Sequence, residues 1–232
     1  MKQTYYFNEN EKLSTMVTQH PGLLPTLSHF GIPLGFGDKS IKEVCHAHHV
    51  DPQFFLLICN VYSFDDFIPS LDTIHATNMD GLVPYLTRSH ASYLNKRLPH
   101  IGGHLSKLSQ LLPARAAAAI NAFYGQYLAE VRSHFENEET RVFPHIVKLQ
   151  ERHVLDEFSI AQFLDSHENL EVKLSDLVQI IFKYLPGRTD DDDAIEMIFD
   201  IILLANDLHK HSLIEEKILG PYVKHLEKSL KR

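Results

Sequence analysis

The feature that most constrains this chain is a set of four long segments whose apolar residues recur at alternating steps of three and four. That spacing places one stripe of side chains along one face of an α-helix. The segments run roughly over residues 80–109, 114–150, 156–185 and 191–230. Short connections between long helices favour antiparallel neighbours. We therefore predict an all-α, up-down-up-down four-helix bundle.

A separate small helical domain is predicted to precede the bundle. Ser40 is followed three residues later by Glu43, which is the pattern of a capping box. Asp51 precedes a proline, a combination typical of a helix start. These signals place short helices in residues 1–63, and the bundle is expected over residues 70–230.

The charge and cysteine content exclude several classes of protein. The net charge of −8 argues against a nucleic-acid or anionic-membrane partner, since both need a basic face. The most apolar stretch, residues 195–208, is too short and too charged to span a bilayer. Cys45 and Cys59 are the only cysteines and form no C-x-x-C motif. Together with an N-terminus that lacks the apolar region of a signal peptide, this predicts a cytoplasmic, reduced protein.

Histidine is unusually abundant, with 16 copies, and some of them interrupt the apolar stripes. Six residues that commonly bind metals occupy core-facing positions: His90, His134, Glu138, His167, His211 and Glu215. A buried imidazole or carboxylate without a partner costs kilocalories per group. A shared metal would compensate all six, so the pattern predicts a metal centre inside the bundle.

The six candidate ligands fall into two equivalent halves. His134 and Glu138 are four residues apart and project from one helix face, and the same spacing recurs later in the chain in His211 and Glu215. Glu138 and Glu215 could bridge two metals and leave positions open for an oxo bridge and a small ligand. A nitrogen- and carboxylate-rich site with open positions suits redox iron better than structural zinc. We therefore predict two iron ions in an oxo- and carboxylate-bridged centre.

The four motifs around these residues resemble the hemerythrin-like domains. They read RSHASYL, HFENEETRVFP, DSHENLEVKL and HSLIEEKILGP, and the resemblance runs from about residue 75 to 228. It looks closest to the RIC (repair of iron centres) proteins, di-iron proteins that protect iron–sulfur clusters from nitrosative and oxidative stress. The resemblance implies histidine ligands at His90, His134, His167 and His211, and bridging carboxylates at Glu138 and Glu215.

Two positions qualify the resemblance. Oxygen-carrying hemerythrins have a further histidine one turn after the third-helix ligand, where this chain has Glu171, which favours the RIC type. RIC proteins also carry a Cys-Cys-Gly-Gly loop near the N-terminus. The corresponding loop here, residues 34–38, has no cysteine, so a step that needs paired thiols lacks its residues.

Three functions fit these observations, in order of preference. The first is a stress-response di-iron protein that helps to repair iron–sulfur proteins. The second is a module that binds or senses O2 or NO without turnover, and the third is an enzyme that reduces NO or peroxide. Nothing in the sequence indicates the electron donor that the third would need. The sequence leaves the oligomeric state open, a homodimer included.

Other histidines are expected to have no metal-binding role. Five of them are predicted at the surface or at helix ends: His104, His145, His153, His209 and His225.

Overall fold

The computed structural model describes residues 6–152, 160, 170–185 and 192–230. Across these residues the regular structure is helical, apart from an isolated antiparallel bridge between Lys12 and Ser40. The prediction of an all-α, bundle-forming chain is confirmed. Within the same ranges, no helix is both long enough and apolar enough to cross a membrane.

Short helices make up the N-terminal part of the chain. They are α1 (Leu13–Gln19), a 3-10 turn (Pro21–Leu23), α2 (Leu24–His29), α3 (Ile41–Ala47), α4 (Pro52–Ser63) and α5 (Leu71–Ala76). The predicted capping box is present at α3. The Ser40 side chain accepts a hydrogen bond from the backbone N–H of Glu43, and the Glu43 side chain accepts one from the backbone N–H of Ser40. Asp51 caps α4 by accepting from the backbone N–H of Phe54. Helices α1 and α5 were not predicted, because six or seven residues are too few to show a helical period.

The predicted bundle segments form longer helices, three of which contain a π-helical turn. They are α6 (Leu82–Ser92), π (Tyr93–Arg97) and α7 (Leu98–Ser109); α8 (Ala114–Asn137), π (Glu138–Val142) and α9 (Phe143–Gln150); α10 (Leu170–Tyr184); and α11 (Asp192–Ile214), π (Glu215–Leu219) and α12 (Gly220–Leu230). These bounds agree closely with the first, second and fourth predicted segments. Much of the third, including residues 161–169, lies outside the described residues.

A proline follows each π turn at the same distance. Pro99, Pro144 and Pro221 each stand two residues beyond the last π residue. Proline has no N–H to donate, and its ring collides with the carbonyl group four residues earlier in an α-helix. A wider π turn just before the proline relieves that collision. π turns of this kind occur frequently at functional sites.

The chain divides into two compact units. The first comprises Met1–Ser89, Glu139–His167 and Lys210–Arg232, and the second comprises His90–Glu138 and Glu168–His209. In the first unit, buried residues of the N-terminal helices form one apolar cluster with buried residues of α9, α11 and α12, such as Ile146, Ile214 and Val223. The domain boundary near residue 63 stays a prediction.

The second unit has its own core. α7, α8, α10 and α11 each contribute fully buried side chains to it, including Ile101, Ile120, Leu174 and Leu204. The last three belong to the predicted apolar stripes and are buried as predicted.

Candidate metal centre

The second unit places two imidazoles on one buried carboxylate. The Nε2 atom of His90 lies 3.1 Å from Oε2 of Glu138, and the Nε2 atom of His134 lies 3.2 Å from its Oε1. The Glu138 side chain is only 1% exposed and His90 is fully buried, whereas His134 is 13% exposed. Each oxygen of one carboxylate therefore has an imidazole nitrogen beside it in a largely buried environment, and His134 is the more exposed of the two histidines.

Local helix geometry explains this arrangement. His134 and Glu138 lie four residues apart, on the same face at the end of α8, and Glu138 is the first residue of a π turn. His90 comes from α6, three residues before another π turn. The ring of Phe135 stacks on the His90 imidazole, with centroids 3.9 Å apart and planes inclined by 10°. This stacking fixes the plane of the His90 ring, and so the direction of its Nε2 atom.

The first unit repeats the His-x-x-x-Glu pattern. The Nε2 atom of His211 lies 2.9 Å from Oε1 of Glu215, and both side chains are buried. As in the other half, the glutamate is the first residue of a π turn. The two halves that were predicted from the sequence repeat thus share both a residue pattern and a backbone feature.

A serine hydroxyl sets the tautomer of His211. The Oγ atom of Ser89 lies 2.6 Å from the carbonyl oxygen of Leu86 and 3.1 Å from Nδ1 of His211. A hydroxyl has one proton, and the carbonyl can only accept, so Ser89 donates to Leu86. Ser89 then accepts the Nδ1–H of His211. In a neutral imidazole this leaves a lone pair on Nε2, which is the form that binds a metal.

The Nε2 atom of His211 lies 2.9 Å from the nearest carboxylate oxygen of Glu215. In the protonated imidazole this contact is an ion pair, and in the neutral form both atoms are acceptors. A metal ion bound by both atoms would take the place of the proton. Ser89 was missed by the sequence reasoning, because a serine beside a ligand carries no periodic signal.

The structure describes five of the six predicted ligands and places them in two sets. His90, His134 and Glu138 meet in the second unit, and His211 and Glu215 meet in the first. His167 lies outside the described residues. The full set of six ligands therefore stays a prediction.

One of the histidines predicted at the surface lies in the core instead. His145 is buried, and its Nε2 atom lies 3.2 Å from the carboxylate of Glu227. The prediction for His145 was therefore wrong.

The other histidines of that set are at least partly accessible where the structure describes them. His225 is exposed as expected, and His104 is partly exposed. The partly exposed His209 lies 3.4 Å from Glu171. His153 lies outside the described residues.

Neither cysteine offers a reactive thiol. Burial, reinforced by Asp51 and Glu9, raises the pKa of Cys45 to about 12. Cys59 is fully buried, which raises its pKa well above the usual range. Because the thiolate is the reactive form, both side chains are inert at neutral pH.

Comparison with protein families gives one match. The hemerythrin HHE cation-binding domain matches residues 96–223, which is more than half of the chain. The matched residues contain five of the six predicted ligands and begin shortly after His90. Comparison with curated proteins gives no significant match.

Proposed function

The chain belongs to the hemerythrin HHE cation-binding domain family, and on that premise we propose that it is a non-haem di-iron protein of the nitrosative and oxidative stress response. The observation that carries the proposal is the buried Glu138 carboxylate held between two imidazole nitrogens. The His211–Glu215 pair, which repeats the same spacing and the same π turn, supports a second equivalent half. Six ligands in two halves would hold two iron ions.

The protein's own residues would prepare this centre in three ways. The glutamates supply the negative charge that iron needs in a buried site. Ser89 and Phe135 hold the imidazoles of His211 and His90 in orientations that expose Nε2. The partial exposure of His134 favours approach of a small ligand from its side. Bound iron would supply redox chemistry and affinity for O2 or NO.

The physiological role that we favour is repair of iron–sulfur proteins, by donation of iron. It rests on the sequence resemblance to the RIC proteins. The absence of an exposed thiol limits this role to chemistry that the metal centre can carry out itself, because Cys45 and Cys59 are both buried. The cytoplasmic location expected from the sequence stays a prediction.

A second candidate function is a module that binds O2 or NO without turnover. The same two buried cysteines favour it, since a binding module needs no thiol. Glu171, at the position where oxygen carriers have a further histidine, faces His209 at 3.4 Å. The residue type at this position, Glu instead of His, favours NO binding or redox sensing over oxygen transport.

The test is to purify the protein without oxygen after expression in iron-rich medium, and to count metals. Two irons per chain are expected in the wild type, with an absorption change when NO is added. Glu215→Gln should lose iron, because an amide is a poor substitute for a bridging carboxylate. Glu216→Gln, a neighbouring exposed residue, is the matched control and should keep both irons.

Incubation of the iron-loaded protein with an NO-damaged iron–sulfur protein then separates the two functions. Recovery of the cluster in the wild type and Glu216→Gln, but not in Glu215→Gln, would support repair. NO binding without any recovery would support the binding module. One zinc and no iron in the wild type would contradict both.

A further inference from the structure

The second unit contains another group of potential metal ligands. His100, His104 and Asp200 each offer one ligand atom, and all three atoms lie within 4.8 Å of one another. None of them belongs to the six ligands predicted from the sequence, and none was expected to bind a metal.

Two helices build this group. His100 and His104 are four residues apart on α7, so their rings project from the same face. Asp200 projects from α11, and a guanidinium nitrogen of Arg97 lies 3.5 Å from the backbone carbonyl oxygen of Asp200. The arginine thus contacts the aspartate's backbone, and the carboxylate itself contacts His100.

The distances within the group fit the edges of a coordination sphere. The Nε2 atom of His100 lies 3.0 Å from Oδ2 of Asp200 and 3.3 Å from Nε2 of His104. Zinc–nitrogen bonds are about 2.0–2.1 Å, which makes the edge of a tetrahedron around zinc about 3.3 Å. The three atoms are therefore spaced as neighbouring ligands of one ion.

Hydrogen bonding satisfies these contacts less well than a metal ion. The Nε2 atom of His100 carries at most one proton. Asp200 and His104 therefore have to share that proton in a three-centre bond, or one of the two contacts is left without a hydrogen bond. A metal ion at the centre of the group uses the lone pairs of all three atoms at once.

We propose that His100, His104 and Asp200 form a second, peripheral site for a divalent transition-metal ion of borderline softness, such as zinc. Two imidazoles suit such ions, and one carboxylate supplies negative charge. The His100 side chain is 61% exposed and Asp200 is 30% exposed, so a water molecule or an external donor completes the coordination. With three protein ligands the site is open in the manner of catalytic rather than structural zinc sites. Bound metal links α7 to α11.

The experiment is a titration of the full-length, tag-free, iron-loaded protein with zinc, followed by calorimetry and by counting zinc and iron. One zinc ion should bind without loss of iron, and thermal unfolding should shift to higher temperature. His104→Gln and Asp200→Asn should each weaken zinc binding at least tenfold and abolish the shift. Circular dichroism establishes that both variants are folded.

His225→Gln is the matched control. It removes an exposed histidine whose ring stacks on that of His75 and which is not one of the three proposed ligands. Zinc affinity should be unchanged in this variant. The inference is overturned if the wild type binds no additional zinc, if zinc enters only by displacing iron, or if His104→Gln and Asp200→Asn bind zinc as tightly as His225→Gln.

Discussion

At the scale of single residues, Ser89 links the backbone to the candidate metal centre. Its hydroxyl donates to the carbonyl oxygen of Leu86 and accepts from Nδ1 of His211. Only this direction leaves the Nε2 lone pair of His211 available. A partner on the distal nitrogen fixes ring orientation and tautomer in most histidine metal sites.

We expect Ser89→Ala to lower iron affinity about 10- to 100-fold, the usual effect of removing such a partner. The side chain is small, so the helix should remain intact. Iron content after dialysis against a graded series of chelator concentrations measures the effect. Ser92→Ala, in the same helix, is the control and should bind iron like the wild type. Equal affinity in both variants would contradict the role assigned to Ser89.

The sequence predicted the candidate ligands better than their neighbours, and the reason is physical. His90, Glu138 and Glu215 interrupt apolar stripes, and a polar residue at a core position is visible in the sequence alone. His145 was expected at the surface because its partner, Glu227, is 82 residues away along the chain. Contacts at such separation leave no local pattern.

At the scale of helices, the π turns were not predicted, although a signal for them exists. Each of Pro99, Pro144 and Pro221 stands in the interior of what would otherwise be a continuous α-helix. Two of the turns begin at a candidate ligand, Glu138 or Glu215. One extra residue in a turn rotates the C-terminal part of the helix by about 100° relative to an unbroken α-helix. Proline therefore adjusts the direction of the ligands relative to the rest of each helix.

Pro221→Ala should separate stability from metal binding. Alanine restores an N–H donor and fits a regular α-helix, in which proline is about 3 kcal/mol less favourable than alanine. The metal-free variant should therefore melt no lower than the metal-free wild type. Its iron affinity should fall at least tenfold, because the turn that starts at Glu215 can close into an α-helix.

The measurements are a chelator-competition assay for iron and thermal unfolding of the metal-free forms. Pro84→Ala is the control, since Pro84 lies near the start of α6 and follows no π turn. The iron affinity of Pro84→Ala should equal that of the wild type. Full iron affinity in Pro221→Ala would show that the proline does not position the ligand.

At the scale of the whole molecule, the sequence predicted the helical class and the bundle segments, because long apolar stripes depend only on local spacing. It did not predict that the N-terminal helices and the C-terminal helices of the first unit contribute side chains to the same apolar core. Buried residues of α4, such as Phe55, and of α12, such as Val223, belong to one apolar cluster although they are far apart in sequence. Helix-start signals such as Asp51 before a proline carry no information about such packing.

Removal of the metal should leave the protein folded but less stable. The apolar cores of both units do not depend on the metal, whereas the buried carboxylates of Glu138 and Glu215 lose the charge that compensates them. A metal that binds only the folded state adds its binding free energy to stability. A loss of a few kcal/mol lowers the melting temperature of a chain of this size by about 5–15 °C.

Thermal unfolding followed by circular dichroism, before and after chelation with metal loss verified, measures the shift. Glu215→Gln is the control, because chelation should change its melting temperature far less. An identical melting curve for the wild type after complete metal loss would place the metal away from these two buried carboxylates.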